Sequence, residues 1–251
     1  MEIKKCRICK SNDLEVILDL GKQSYTGRFL DENEEDPSFE QLSIVQCNEC
    51  GLIQLKDIFP PSEMYGETYG YRSSITKTMR DHLLGISEYA FSFLKKNTNL
   101  NIIDIGSNDG TLIGHFNKNK NNIIGIDPCI NKHKENYDNN ILLVNDFFSK
   151  KSILANTTTK SFDIITSIAM FYDLDDPIKF ATDISELLRD KGIWITEQTY
   201  SHTLIESKCY DSICHEHVTY LALADIEKIC EQTNLKILDI STNILRGGVL
   251  D

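Results

Sequence analysis

The chain has 251 residues, of which 38 are acidic and 26 basic, so its formal net charge at pH 7 is −12. This surplus of negative charge disfavours binding through neutralised phosphates, and we expect no nucleic acid partner. No apolar run reaches the ~18 residues of a membrane span, and the first ten residues lack the apolar core of a signal peptide. We therefore expect a soluble, cytoplasmic protein without a membrane partner.

Two cysteine pairs with the spacing C-x-x-C lie in the N-terminal part of the chain: Cys6 with Cys9, and Cys47 with Cys50. Two such pairs can supply four thiolates to one tetrahedral zinc ion, which leaves no coordination position open for a substrate. Gly51 suits the tight turn after the second pair, whereas Lys10 stands where a glycine would help the first turn. A redox dithiol and plain buried thiols are the alternatives, and we expect a structural zinc held by these four cysteines.

An aromatic connector, MYGETYGY, runs from Met64 to Tyr71. It either packs as a linker or folds over a substrate, where tyrosines supply both contact area and hydroxyl groups. On the second reading, Tyr71 and Tyr69 contact the substrate. Apolar residues at helical spacing from Ser73 to Lys96 then predict a long helix that is opened by capping serines.

From residue 101 onward, short apolar runs alternate with amphipathic segments. Six runs are candidate strands: NIIDI, NIIGID, ILLV, FDIITSIAM, GIWITE and LKILDI. Strands that are buried on both faces are nearly continuously apolar, so the pattern predicts an α/β fold with a doubly wound, mostly parallel sheet and helices on both faces. We expect two domains: a zinc-binding lobe with the connector at residues 1–72, and a cofactor-binding domain at residues 73–251.

The turn after the first of these strands, DIGSNDG from Asp104 to Gly110, has the residue types of a cofactor-binding loop. It is neither a P-loop nor a G-x-G-x-x-G turn. Asp127 ends the next strand, about where nucleotide-binding folds present an acid to ribose hydroxyls, and an acid–aromatic pair follows the third strand. The cofactor-binding candidates are Asp104, Gly106, Ser107, Asn108, Gly110, Asp127, Pro128, Asp146, Phe147 and Ser167.

A strand-end carboxylate before a D-x-G-x-x-x-G turn resembles the first motif of the class I S-adenosylmethionine methyltransferases. In that motif the glycines let the backbone approach the cofactor, and the acidic groups suit its cationic amino-acid end. A nicotinamide cofactor and a degenerate site are the alternatives to a methyl donor.

The stretch ICHEHVTY, from Ile213 to Tyr220, concentrates titratable groups. His215 and His217 share a face only if the stretch is extended, and their spacing excludes the helical H-E-x-x-H arrangement of zinc proteases. An unperturbed histidine titrates near pH ~6.5 and can accept a proton at neutral pH. The residues alone leave open a metal chelate, a general base and a structural histidine.

The segments CRIC, LDLG, CNECGLIQL, YGYRSS, IIDIGSNDGTL and YDSICHEHVTYLAL together cover nearly the whole chain. Their combination resembles the zinc-containing sugar C-methyltransferases that act on nucleotide-linked deoxysugars. The resemblance implies a Rossmann-like methyltransferase sheet with S-adenosylmethionine and a structural zinc as cofactors. It also implies that His217 is the general base, with Glu216 and nearby tyrosines, Tyr71 among them, around the acceptor, while His215 lies outside the reacting groups.

Three features depart from that family. Cys214 stands where a tyrosine often precedes His-Glu-His, Tyr172 lies near an expected histidine, and the family's C-terminal domain is lacking. We therefore expect methylation of a small, nucleotide-activated precursor, a sugar or another group, in surface polysaccharide or capsule biosynthesis, with oxygen slightly favoured over carbon as the accepting atom. The alternative is a catalytically inactive methyltransferase fold that serves as a zinc-ribbon interaction module.

Overall fold

The computed structural model describes residues 2–26, 32–33, 39–65, 69–117, 120–243 and 249–250. The chain divides into two compact units. The first unit comprises Met1–Gly70, Ala169–Thr182 and Glu197–Asp251, and the second comprises Tyr71–Ile168 and Asp183–Thr196. Residues 66–68, at the centre of the predicted aromatic connector, lie outside the described residues.

Strands and helices alternate through most of the described chain. The strands are β1 (Leu14–Ser24), β2 (Phe39–Cys47), β3 (Ile53–Leu55), β4 (Asn101–Ile105), β5 (Asn122–Ile126), β6 (Leu142–Val144), β7 (Phe162–Ile168), β8 (Leu188–Thr199), β9 (Thr219–Tyr220), β10 (Thr242–Asn243) and β11 (Val249–Leu250). The α-helices are α1 (Pro61–Met64), α2 (Lys77–Ser92), α3 (Thr111–Phe116), α4 (Lys150–Asn156), α5 (Pro177–Leu187), α6 (Ser201–Ser207) and α7 (Leu223–Thr233).

The first unit contains a four-stranded sheet in the order β1-β2-β3-β9, in which neighbouring strands are antiparallel. The inner face of β2 and the end of β3 pack against aromatic and aliphatic side chains from the following segments. This core contains Tyr25, Leu42, Ile44, Leu55, Phe59, Met64, Leu204, Val218 and Tyr220. Because β9 pairs with β3, the sheet fixes the residues that immediately precede β9, which are those of the His-Glu-His stretch.

The second unit contains the parallel sheet that the sequence predicts. The sheet has the strand order β10-β11-β8-β7-β4-β5-β6. β4 pairs in parallel with both β5 and β7, and β5 pairs in parallel with β6, whereas β11 pairs antiparallel with β8 and β10. The central strands β4, β5 and β7 are almost fully buried. The core between sheet and helices includes Leu83, Ile86, Ile102, Ile113, Phe116, Ile123 and Ile164. The predicted α/β fold with a Rossmann-like sheet is therefore confirmed.

Two local predictions differ from the structure. The long helix begins at Lys77, and Thr76 is its N-cap, because the Thr76 side chain accepts a hydrogen bond from the backbone of Met79 at 3.2 Å. The predicted strand LKILDI, residues 235–240, is irregular. Its apolar side chains stay partly exposed, with Leu238 69% exposed, so the burial that would reward strand pairing is missing. In the described part of the chain, no helix combines the length and the apolar character needed to cross a membrane.

Candidate active site

The four cysteines of the two C-x-x-C pairs converge in the first unit. Their sulfur atoms all lie within 4.8 Å of one another. Sγ of Cys6 is 3.6 Å from that of Cys50, and Sγ of Cys9 is 3.5 Å from that of Cys47. A tetrahedron of sulfurs at the usual Zn–S distance has edges of about 3.8 Å. The donor set and its spacing therefore fit a closed zinc site.

Each cysteine pair is followed directly by a residue whose backbone is in the left-handed region. Gly51 has φ +84°, as the sequence predicts, and Lys10 adopts the same kind of turn with φ +62° although it carries a side chain. Backbone amides close both turns: Lys10 donates to the Cys6 carbonyl at 3.1 Å, and Gly51 donates to the Cys47 carbonyl at 2.8 Å. The backbone thus aims both pairs of thiols at one point.

The loop Asp104–Gly110 follows the C-terminal end of β4 in the second unit. Three of its residues have positive φ: Gly106 at +71°, Asn108 at +51° and Gly110 at +82°. At Gly110, a Cβ atom would also lie only 3.0 Å from the ring of Tyr137. Such a turn brings the backbone close to a bound group at the carboxyl end of a parallel strand, the usual place for a cofactor in this architecture.

Asp127 lies at the end of β5 with its carboxylate held by two backbone amides. Asn108 N donates to one oxygen at 3.0 Å, and Cys129 N donates to the other at 2.6 Å. A carboxylate has about four acceptor positions, so each oxygen can still accept a ribose hydroxyl. Burial raises the pKa of Asp127, while these amide hydrogen bonds act in the opposite direction.

Asp104, at the end of β4, is 2% exposed and accepts a hydrogen bond from Oγ1 of Thr166 at 2.6 Å. Burial raises its pKa to about 7, against the effect of the Thr166 hydrogen bond and with a smaller contribution from the negative charge of Asp127. A cationic group beside Asp104 would favour its ionised form. This environment fits the ammonium end of S-adenosylmethionine.

The remaining cofactor candidates lie at the ends of the neighbouring strands. Asp146 and Phe147 follow β6 and are exposed, with the Phe147 ring 43% exposed, so both can contact a ligand. Pro128 is half-buried beside Asp127. Ser167, in contrast, is fully buried in β7, where its hydroxyl accepts a hydrogen bond from the Trp194 indole at 2.9 Å. The structure thus ties Ser167 to the sheet interior.

Tyr71 is held next to the cofactor loop by side chains of that loop. The Asn108 amide donates to the Tyr71 carbonyl at 3.1 Å and accepts from the Ser73 amide at 3.1 Å. Asp109 accepts from the Ser74 amide at 2.9 Å. Burial alone would raise the pKa of Asp109, but hydrogen bonds from Ser74 and Thr111 lower it below its usual value. Asp109 is not among the predicted site residues, although it belongs to the DIGSNDG motif and connects the cofactor loop to Ser74.

His217 lies in the first unit just before β9, half-buried. Its Nδ1 is 2.7 Å from the carbonyl oxygen of Ser212, and its ring meets that of Tyr172 edge to face at 4.7 Å. A carbonyl can only accept, so Nδ1 carries the proton, and the lone pair resides on Nε2. In the neutral imidazole, Nε2 is therefore the nitrogen that can accept a proton.

His215 has a different environment from His217. It is fully buried, with its ring edge-on to Tyr25 at 5.0 Å and to Phe59 at 4.7 Å. Nε2 lies 3.3 Å from the Glu40 carbonyl, and burial lowers the pKa of the imidazole. Within the described residues, the four-cysteine cluster is the one group with metal-ligand geometry, and it does not include the histidines. The structure thus favours a packing role for His215.

Glu216 is 7% exposed, and its carboxylate accepts a hydrogen bond from the Thr26 hydroxyl. A second buried hydrogen bond joins the hydroxyl of Tyr65 to the carboxylate of Asp173 at 2.7 Å. Burial and the Asp173 charge raise the pKa of Tyr65, so its phenol stays protonated. The sequence analysis missed Thr26, Tyr65 and Asp173. The aromatic connector pointed to Tyr65, whereas no local signal marks the other two.

A Rossmann-like sheet with a glycine loop and strand-end acids defines the class of methyltransferase folds. Residues 72–240 match the family described as "Methyltransferase domain". The chain therefore belongs to this family. Residues 6–65 match a second family, described as "Putative zinc binding domain".

The relatives of the chain are distant. The protein "C-methyltransferase NovU" of Streptomyces niveus is 23% identical over 250 residues, which are 98% of this chain but only 59% of that protein. The magnesium protoporphyrin IX methyltransferase ChlM from Synechocystis PCC 6803, solved with bound SAH, has a TM-score of 0.51 at 13% identity and covers 72% of this chain and 88% of its own. The plantazolicin methyltransferase BamL, also solved with SAH, has a TM-score of 0.51 at 18% identity over 66% of each chain.

These similarities confirm the coarse predictions. The chain combines an S-adenosylmethionine-binding methyltransferase fold with a zinc-binding domain that carries a four-cysteine cluster. The structural relatives, at these identities, are informative about the fold alone.

Proposed function

We propose that the protein is an S-adenosylmethionine-dependent methyltransferase in which His217 removes the proton from the acceptor. The observation that carries the proposal is the hydrogen bond from His217 Nδ1 to the Ser212 carbonyl, which leaves Nε2 as the basic nitrogen. The family membership of residues 72–240 supports the same conclusion.

The second unit binds the methyl donor in this proposal. Asp127 accepts hydrogen bonds from the ribose hydroxyls, Asp104 and Gly106 hold the amino-acid end, and Asp146 with Phe147 contacts the adenine. When bound, S-adenosylmethionine supplies an electrophilic methyl group on a positively charged sulfur. The protein's own contribution is to orient the donor and exclude water, which lowers the barrier of an in-line displacement without further chemistry.

The first unit removes the proton. Nε2 of His217 would accept the proton of the acceptor, whose released electron pair would form the bond to the methyl carbon. The carbon–sulfur bond of the donor would break, and its electron pair would stay on the sulfur. Glu216, fixed by Thr26, orients the acceptor or the base. Tyr71, which belongs to the second unit, contributes contact area. The four cysteines hold the zinc for folding, because a closed tetrahedral site offers no position to a substrate.

The acceptor is a small, nucleotide-activated precursor of a surface polysaccharide or capsule in this proposal, and oxygen is the accepting atom. A carbon acceptor forms an enolate, whose oxygen needs a hydrogen-bond donor. Cys214 is buried with a pKa raised to about 12 by burial and by Glu216, and a thiol donates more weakly than the tyrosine it replaces. Carbon is the second candidate, favoured by the name of the Streptomyces relative.

The test compares the turnover of His217→Asn with that of the native protein. The substrates are labelled S-adenosylmethionine and the nucleotide-sugar fraction of a cell extract. Loss of the base is expected to lower turnover by about 10²- to 10⁴-fold while donor affinity stays constant, since the base acts in the chemical step. His215→Asn, the matched control in the same stretch, should lose far less. Mass spectrometry of the product then distinguishes an O-methyl from a C-methyl group. Normal turnover by His217→Asn would contradict the proposal.

A further inference from the structure

Arg7 lies between two zinc ligands, Cys6 and Cys9, yet its side chain is only 3% exposed. Burial of a guanidinium costs free energy unless every donor is paired. The four thiolates complete the metal site without it, and the hydrogen bonds of the guanidinium go to carbonyl oxygens and a carboxylate. A buried cation inside the cysteine turn therefore indicates a role beyond holding the metal.

The guanidinium of Arg7 makes a fork of four hydrogen bonds. Nε donates to Oδ1 of Asp175 at 2.9 Å, and Nη1 donates to the carbonyl of Leu55 at 2.6 Å and to Oε1 of Gln54 at 3.3 Å. Nη2 donates to the carbonyl of Asp57 at 3.3 Å. A planar group with donors in fixed directions ties these segments together, which a lysine cannot do.

The hydrogen bonds from Nη1 of Arg7 reach β3, the strand that pairs with β9 just after His217. Leu55, whose carbonyl accepts from Arg7, donates its own amide to the carbonyl of Val218 at 2.9 Å. Val218 is the residue after His217. Gln54 is the register partner of Thr219 in the pairing of β3 with β9. Arg7 therefore braces the strand on which the position of His217 depends.

The hydrogen bond from Nε of Arg7 reaches Asp175, in the segment whose Tyr172 packs on His217. Asp175 lies three residues after Tyr172, whose ring meets the His217 imidazole at 4.7 Å. The carbonyl of Tyr172 also accepts a hydrogen bond from the Thr219 hydroxyl at 3.2 Å. Asp173, in between, accepts from Tyr65. Arg7 thus holds the two backbone segments that enclose the imidazole.

We propose that Arg7 is a positioning residue for His217, through which the zinc site fixes the tautomer and orientation of the base. This inference rests on the proposed function for its catalytic meaning. Zinc binding orders the turn from Cys6 to Cys9 and therefore the Arg7 backbone between them. The fork then transmits that order to Leu55 and Asp175, and a loosened fork lets the imidazole rotate away from the Ser212 carbonyl.

The test is the ¹⁵N spectrum of histidine-labelled full-length protein, in which His217→Asn identifies the His217 signal. The native protein is expected to show the Nδ1–H tautomer. Arg7→Lys and Asp175→Asn are expected to show mixed tautomers at His217 while zinc content and affinity for S-adenosylhomocysteine stay unchanged. Turnover should fall by about 10- to 100-fold with the donor KM unchanged, the usual effect of losing an outer-shell partner. Asp175→Glu, which retains a carboxylate, should recover part of the loss.

Asp163→Asn is the matched control, because Asp163 pairs with Arg189 at 2.7 Å in the second unit. It should leave the His217 spectrum unchanged. Asp175 is 49% exposed, so Asp175→Asn remains informative if Arg7→Lys fails to fold. A native His217 tautomer in both folded, zinc-loaded variants would overturn the inference. A tautomer change combined with normal turnover by His217→Asn would uphold the positioning role of Arg7 and remove the base role from His217.

Discussion

The cofactor loop of the second unit and a polar cluster of the first unit hold their polar groups in different ways. We call this group the histidine cluster; it contains His215, Glu216 and His217 with Thr26, Tyr65 and Asp173. In the cofactor loop, the carboxylate of Asp127 accepts from backbone amides 2 and 19 residues away. In the histidine cluster, Glu216 bonds a side chain 190 residues away, and Tyr65 bonds one 108 residues away. The loop is therefore a property of consecutive strands, whereas the cluster exists only when distant segments fold together.

From this difference we expect the first unit to lose its structure more readily than the second unit. A carboxylate held by its own loop keeps its geometry as long as the parallel sheet is intact. A cluster assembled from separate segments depends on every element that orders the first unit, and we expect the zinc site to contribute most to that order. Four substitutions test this difference between the two units.

Cys47→Ser has the largest expected effect. Removing one of four thiolates should abolish tight zinc binding, whose apparent free energy is on the order of 10 kcal/mol in small structural sites. We expect loss of one zinc per chain and fast amide exchange in the first unit, with affinity for S-adenosylhomocysteine retained. Metal analysis, hydrogen exchange and calorimetry measure these quantities. Cys230→Ser, a thiol outside the cluster, is the control, and equal collapse of both units in Cys47→Ser would refute the comparison.

The variant Asp104→Asn tests whether the buried Asp104 carboxyl group makes the stability of the protein depend on pH. The folded-state pKa of about 7 lies above the ordinary value of 3.8. Between these pH values the folded protein binds more protons than the unfolded chain, so the unfolding free energy falls as the pH rises. Without ligand, the stability of the native protein relative to Asp104→Asn should drop by on the order of 4 kcal/mol from pH 4 to pH 8. Parallel denaturant curves for both proteins measure this, and a constant difference would count against it.

Asp127→Ala should weaken donor binding by roughly 1.5–3 kcal/mol, the range for hydrogen bonds to charged groups. Asp127→Asn keeps an acceptor oxygen and should lose less. Calorimetry with S-adenosylhomocysteine provides the dissociation constants, with the exposed Asp138→Ala as control. The ribose assignment fails if the dissociation constant of Asp127→Ala equals that of the native protein.

Lys10→Gly has the smallest expected effect and the opposite sign. Lys10 has φ +62°, which costs a non-glycine residue roughly 1–2 kcal/mol. Its side chain is 53% exposed, and the variant loses the hydrogen bond from Nζ to the Arg7 carbonyl at 2.8 Å, which offsets about 0.5–1 kcal/mol of that gain. The variant should therefore be more stable by about 0.5–1 kcal/mol. Gly51→Ala, at φ +84° in the other cysteine turn, should be less stable. Thermal melts of the zinc-loaded proteins compare the two, and destabilisation by Lys10→Gly would show that side-chain contacts outweigh the backbone strain.

Much of the second unit could be predicted from the sequence. Five of the six apolar runs are strands, because their burial on both faces leaves a continuous apolar signature. The sixth, residues 235–240, has the same composition and fails, because burial is decided by what packs on a segment. The start of α2 shows the same limit: several serines and a threonine could cap the helix, and the backbone selects Thr76.

Local sequence signals already indicate the chemistry that we propose: two cysteine pairs for zinc, a glycine loop with strand-end acids for a methyl donor, and a histidine for the base. These signals are local, since neighbouring residues already share a strand end or a turn. The folded structure was needed to show that His215 is buried, that His217 donates from Nδ1 to a carbonyl, and which side chains each of them contacts. His215 and His217 are two residues apart, and the segments of Phe59 and Tyr172, which come together only on folding, set their different environments.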